Sequence, residues 1–432
     1  MTQSTQEQFY VRLAQYLRDF YADLSPIEDS GTAIERGDTF WSRTTEGTLR
    51  LTAVESKSYH QLLSAACTVL APHEDLSEAA IDTALQDAIF SVVDIPDSRA
   101  PNVEDRIREA VGVLRRFIDA PRQAYECWIE VAGIDTASLP ATFGTTRFAV
   151  VGDADTERLA DLVRRTHTVD RAGKLEAVSQ MAGELQDRPI AIQRVSARDA
   201  PAAQSLATRD VAATIECLNC FADLIPYNRA RLRIPNGKSG VGQSLRLVLA
   251  DDGSFRYSPQ ATIPWTFSFA ALRELSRPVA DAVNRVDALL SKENRNPVDE
   301  LLLRAVRWLG HAMTAGSRGD KFLFLMIALE CAVLPEQVKD IAESLSSRTS
   351  RILHDSDGDP GRLKREVKRL YDLRSRQVHD GRLEITENDL GQLHGIALET
   401  VLDIVTSPDV EQVRALQDLD DYLSNAENWR AC

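Results

Sequence analysis

The stretch that decides the fold is residues 321–334, KFLFLMIALECAVL. Its apolar residues cover every side of a helix, and a helix of that kind must be buried among other elements. The run is much shorter than the roughly 20 apolar residues that span a bilayer. Glu330 is the only charged residue after Lys321. We therefore expect an all-helical bundle packed around this segment.

Glu330 needs an explanation, because an unpaired carboxylate is costly to bury. It should find a cation or carry a proton. Arginines that could serve as the partner follow at positions 348, 351 and 374. The alternative is that Glu330 lies at the edge of its helix and reaches solvent.

Residues 361–379, GRLKREVKRLYDLRSRQVH, predict a second helix with an apolar stripe. Leu363, Val367 and Leu370 follow helical spacing, and Arg374 continues their face. The segment has seven basic and two acidic residues. As a bare charge run it is typical of a solvated helix face, and composition alone favours that interpretation. The basic residues expected to be solvated are Arg365, Lys368, Arg369 and Arg376.

An arginine on the buried face is normally paired or functional, since guanidinium stays charged. His379 follows five positions later, and Gly381 offers a helix end close by. If the helix ends there, the relative positions of the Arg374 and His379 side chains need not follow ideal helical geometry. Arginine and histidine without a carboxylate cluster suit cleavage of RNA without a metal. Histidine can move the proton of a ribose 2′-OH, and arginine can stabilise the phosphorane.

Three segments in this order resemble the HEPN superfamily, and specifically its Apea-like branch. They are DKFLFLMIALECAV, IAESLSSRTSRIL and LYDLRSRQVHDG, at 320–333, 341–353 and 370–381. The last contains the R-x(4–6)-H motif of the superfamily. The resemblance implies an all-α domain that forms a homodimer and brings two Arg–His sets into one cleft. Active members are endoribonucleases, many of them toxins or effectors of antiphage, abortive-infection defence.

The resemblance also implies roles for individual residues. Arg374 would bind the phosphate, His379 would be the general acid and base, and Ser375 would be the polar residue that follows the arginine. Glu330 and Arg348 would form a supporting pair. Tyr371 would support the site or contact RNA. The remaining RNA contacts would come from Arg365, Lys368, Arg369 and Arg376, and no metal or cofactor is expected.

Composition limits the classes of protein to consider. The chain has 432 residues, a net charge of −15, 44% hydrophobic and 27% charged residues, which is typical of a globular protein. The negative charge argues against general coating of nucleic acids or membranes. Six scattered cysteines and an N-terminus unlike a signal peptide favour a cytoplasmic protein without membrane association.

The chain is long enough for several domains, and we expect a multidomain α+β protein. Residues 1–120 are mostly helical in pattern, with one hairpin turning at Glu46-Gly47. Residues 121–267 mix short strands with a helix and predict an α+β sensing or regulatory module. Residues 268–432 are the Apea-like domain. The resemblance supports an upstream region that senses a phage-derived trigger or partner protein.

Several other patterns are weaker. The C-x-x-C at Cys217 and Cys220 lies in an apolar helical run and predicts buried thiols rather than a metal site. NGKSG at 236–240 lacks the first glycine of a phosphate-binding loop. His311 has no partner in the sequence, and His394 is expected at the surface.

Three interpretations stay open at this point. The first is a HEPN endoribonuclease held inactive until a trigger is sensed. The second is a non-catalytic HEPN module for dimerisation or RNA binding, in which the Arg–His pair is structural. The third is a helical interaction protein in which the motif arose by chance.

Overall fold

A computed structural model describes residues 10–11, 13–15, 17–18, 41–44, 47–50, 53–70, 76–90, 103–118, 121–166, 171–225, 231–234, 243–250, 255–260, 266–336, 338–353, 360–380 and 385–425. The chain forms two compact units. The first comprises 1–125, 195–206 and 248–251, and the second comprises 126–194, 207–247 and 252–432. Residues 268–432 lie in the second unit, and residues 121–267 are divided between the two units.

The first unit is mainly helical and contains the expected hairpin. Strands β1 and β2 pair antiparallel, with Thr44 opposite Gly47. Three helices follow, and Ser77 caps the second by accepting a hydrogen bond from the amide of Ala80. Tyr10, Leu13 and Leu17 are buried together with the apolar side chains of these helices. The bounds are β1 Trp41–Thr44, β2 Gly47–Arg50, α1 Ala53–Leu70, α2 Glu78–Phe90 and α3 Val103–Ile118.

The middle of the chain forms a six-stranded sheet, which confirms the α+β prediction for this region. The strand order is β4-β5-β6-β3-β7-β8, and β5 is antiparallel to both β4 and β6. The elements are β3 Gln123–Glu130, β4 Ala141–Phe143, β5 Thr146–Val150, α4 Asp153–Thr166, α5 Arg171–Leu185, β6 Pro189–Ala197, α6 Ala200–Ala222, β7 Gln243–Ala250 and β8 Phe255–Gln260.

The C-terminal region is all-helical, as expected. Its helices are α7 Phe269–Leu272, α8 Arg277–Ser291, α9 Pro297–Thr314, α10 Arg318–Val333, α11 Ile341–Ile352, α12 Pro360–Asp380, α13 Glu387–Thr406, α14 Pro408–Gln412 and α15 Leu416–Ser424. Asn296 caps α9 in a capping box with Asp299, and Pro297 occupies the first turn, where proline is favoured.

Helix α10 is the centre of this bundle, because it packs against both α9 and α13. The side chains of Phe322, Leu325, Met326 and Leu329 are fully buried along it. The prediction that the segment 321–334 is a buried helix is therefore confirmed. Within the described ranges, no helix has the length and apolar content needed to cross a bilayer.

Helix α9 of the bundle packs against helix α6 at a glycine, Gly310. A Cβ atom on Gly310 of α9 would lie 1.8 Å from the carbonyl oxygen of Glu216 on α6. Only glycine allows the two helix backbones to approach so closely. This close approach packs α6 against α9 within the second unit.

Candidate functional site

The predicted catalytic arginine lies beside the buried glutamate of α10. Nε of Arg374 is 3.6 Å from Oε1 of Glu330, and the two side chains are 27% and 24% exposed. Both atoms are buried, and neither makes a hydrogen bond within the described structure. Of the three candidate cations, Arg374 is therefore the partner of Glu330.

Two opposing effects of the surroundings act on the pKa of Glu330. Burial raises the pKa of the Glu330 carboxyl group above its ordinary value, and the charge of Arg374 opposes the rise. The guanidinium carbon of Arg374 also lies 5.9 Å from the centre of the Tyr371 ring. Burial and the nearby Glu330 charge raise the pKa of Tyr371, so its hydroxyl stays protonated at neutral pH.

Arg348 does not support Glu330, so the predicted Glu330–Arg348 pair is wrong. Arg348 is buried in α11 and forms a bidentate ion pair with Asp420 of α15, with N–O distances of 2.7 and 3.1 Å. It also donates to the carbonyl oxygen of Val333 at 2.9 Å and to the hydroxyl of Ser424 at 2.8 Å. These partners occupy both terminal nitrogens of the guanidinium and direct it away from Glu330. Arg348 thus fastens the end of α10 to the last helix.

His379 belongs to the same helix as Arg374. The backbone of α12 is helical through Asp380, so the expected departure from helical geometry between the two residues is absent. Residues five apart on a helix are separated by about 140° around the axis and about 7.5 Å along it. Positions 374 and 379 therefore lie on different faces of α12. The side chain of His379 lies outside the described residues, and Ser375 is half-buried next to Arg374.

The basic residues predicted to contact RNA are exposed, as expected, and Lys368 and Arg369 pair with carboxylates of the bundle. Nζ of Lys368 lies 3.6 Å from Glu343. Arg369 donates to Glu366 and to Asp389, each at 2.6 Å. Part of the positive charge of α12 is therefore compensated by neighbouring carboxylates. All four are on the outer faces of α12: Arg365, Lys368, Arg369 and Arg376.

A cavity of about 580 Å³ lies in the same unit and was not predicted. It is bounded by α6, by the extended segment 231–234 and by the end of α9. The lining residues that carry polar side chains are Glu216, Asn219, Arg231, Arg233, His311 and Thr314.

Glu216 organises one wall of this cavity. Its carboxylate accepts a hydrogen bond from Nε of Arg307 at 2.5 Å and lies 3.3 Å from Nε2 of His311. His311 also packs against the rings of Trp308 and Phe324. The sequence holds one signal for this contact, since Gly310 interrupts an apolar helical run next to His311, and such a glycine often marks a close approach.

The opposite wall contains Arg231, which is paired with Asp223 and donates from Nε to the carbonyl oxygen of Met313 at 3.0 Å. Nε2 of His394 lies 3.9 Å from the other carboxylate oxygen of Asp223. Burial lowers the pKa of His394, and its side chain is only 25% exposed. The expectation of a surface histidine at this position was wrong.

Comparisons with protein-family models, with curated proteins and with solved structures find no match for this chain.

Proposed function

We propose that the protein is a HEPN-type, metal-independent endoribonuclease that acts in the cytoplasm as an effector of antiphage defence. The observation that carries the proposal is the position of Arg374. It lies on the inner side of α12 beside Glu330, and it is not part of the solvated basic face. Its side chain is 27% exposed, so a ligand could still contact it. His379 follows on the same helix.

The proposed reaction needs only the side chains of the chain itself. His379 would accept the proton of the ribose 2′-OH while the 2′ oxygen attacks the phosphorus atom. Arg374 would stabilise the charge that develops on the phosphorane oxygens. A second histidine would protonate the departing 5′ oxygen, which leaves a 2′,3′-cyclic phosphate and a 5′-OH.

A homodimer would supply the second histidine. Positions 374 and 379 are about 140° apart around the helix axis, so they lie on different faces of one α12. Two copies related by a twofold axis would bring two arginines and two histidines to a shared cleft. The exposed basic residues along α12 would position the RNA backbone there.

Expression in cells tests the proposal. Wild type should arrest growth once triggered, and both Arg374→Ala and His379→Ala should abolish the arrest while the protein still accumulates. Arg318→Ala is a matched control. Arg318 pairs with Glu387 at the surface, where the side chains are 64% and 70% exposed, so its loss should change nothing. Equal arrest by wild type and the Arg374→Ala/His379→Ala double variant would refute the proposal.

The second candidate is a non-catalytic HEPN module, and the ion pair between Arg374 and Glu330 favours it. In that case Arg374 serves only to compensate a buried carboxylate. The double variant Glu330→Met/Arg374→Met separates the candidates, because it removes both charges and fills the space with flexible apolar side chains. If the double variant is stable and retains wild-type activity in cells, Arg374 is structural. If it is stable and inactive, Arg374 is catalytic.

A further inference from the structure

The cavity between α6, the segment 231–234 and the end of α9 shares no lining residue with the Arg374 site, and hydrogen bonds hold the backbone of one of its walls. Asn219 of α6 clamps the backbone of Leu232, accepting from its amide at 2.8 Å and donating to its carbonyl oxygen at 2.9 Å. Arg233 pairs with Ala132 through its own amide and carbonyl groups, at 3.1 and 2.9 Å. The backbone that carries both arginines of the cavity is therefore fixed on either side.

The two arginines differ in their remaining capacity to bind. Arg231 already contacts Asp223 and the carbonyl oxygen of Met313. The guanidinium of Arg233 is exposed at the cavity and makes no hydrogen bond or ion pair within the part of the chain that the structure describes. Across the cavity, the charge of Glu216 is compensated by Arg307. The uncompensated charge at this cavity is therefore the positive charge of Arg233.

The remaining wall is apolar. Ile215, Leu232, Ile234 and Met313 line the cavity together with two alanines. The volume of about 580 Å³ falls in the range typical of sites for small molecules. An apolar floor with one open arginine suits a molecule that has both an anionic group and an apolar or aromatic body.

We propose that this cavity binds a small phosphorylated organic molecule. Arg233 would hold the phosphate through its planar guanidinium, which matches phosphate oxygens in pairs. Arg231, held in place by Asp223, would face the same group. The apolar residues of α6 and α9 would contact the organic body. The proposal concerns binding alone and does not depend on ribonuclease activity.

Calorimetric titration of the full-length protein at low salt tests the proposal, with adenosine 5′-monophosphate and inorganic pyrophosphate as the two probes. Wild type should bind the nucleotide, and Arg233→Glu should weaken that binding tenfold or more. The exposed position of Arg233 lets the variant fold, which a thermal melt would verify. Arg318→Glu, the matched control, should bind as wild type does.

Four results would overturn all or part of the proposal. The first is no measurable binding of either probe to wild type. The second is unchanged affinity in Arg233→Glu. The third is loss of binding in Lys368→Glu with retention in Arg233→Glu, which would assign the anion to α12. Binding of pyrophosphate alone, dependent on Arg233, would limit the site to bare inorganic anions and overturn the organic part of the proposal.

Discussion

Replacing Arg374 by alanine should destabilise the protein in a way that depends on pH. Two unit charges about 4 Å apart interact by about 4 kcal/mol at an effective dielectric constant of about 20. The Arg374–Glu330 pair is separated by 3.6 Å, and its side chains are 27% and 24% exposed. Because water screens these charges and no hydrogen bond joins them, we expect a loss of about 1–2 kcal/mol at neutral pH.

The direction of the pH dependence follows from Glu330. Burial raises its pKa in the folded protein above the ordinary value of 4.5, so the folded state holds the proton more tightly than the unfolded state does. The contribution of Glu330 to stability is then favourable at low pH and is lost as the pH rises through the folded pKa. Removing Arg374 raises that pKa further, so the deficit of the variant should grow with pH.

Urea denaturation followed by circular dichroism measures this effect. The difference in free energy of unfolding between wild type and Arg374→Ala should be near zero at about pH 4.5 and reach its full size near pH 8. Glu330→Gln/Arg374→Ala should remove the pH dependence, since glutamine does not titrate. Arg318→Ala should change stability by less than about 0.5 kcal/mol at either pH. A deficit of equal size at both pH values would refute the electrostatic explanation.

Three further predictions concern packing and burial. Gly310→Ala should lower the free energy of unfolding by about 3 kcal/mol or more, because its Cβ would collide with the backbone of Glu216. A thermal or urea melt would measure this, and a variant as stable as wild type would contradict the close packing of α9 on α6. Arg348→Ala should cost about 3 kcal/mol by leaving Asp420 unpaired, and Arg348→Ala/Asp420→Ala should recover part of the loss. Burial raises the pKa of Cys217 to about 12, so its thiol should react with a disulfide reagent only after unfolding. Labelling of Cys217 in the native protein would contradict its burial.

The buried helix α10 was predictable because its own residues determine its environment. A run that is apolar on every side has to be covered, whatever covers it. The cap at Asn296 and the hairpin of β1 and β2 were likewise readable from local chemistry. Each depends on residues that are neighbours in the sequence.

The partners of charged residues were harder to predict, because they depend on which helices meet. Glu330 had three candidate arginines, and the packing of α12 on α10 selects Arg374. Arg348 forms its ion pair with Asp420, which is 72 residues away in the sequence, on a helix whose position the sequence does not reveal. The cavity at Glu216 and His311 needs α6 to cross α9, and Gly310 is the single local sign of that crossing.

The chemistry of RNA cleavage tests the central claim most directly. Purified wild-type protein, activated and kept in excess EDTA, should cut RNA and leave 2′,3′-cyclic phosphate and 5′-OH ends. His379→Ala, folded as wild type, should leave the RNA intact. Products with 5′-phosphate ends, or the same cleavage by His379→Ala, would contradict the assignment of Arg374 and His379 as the groups that break the ribose–phosphate bond.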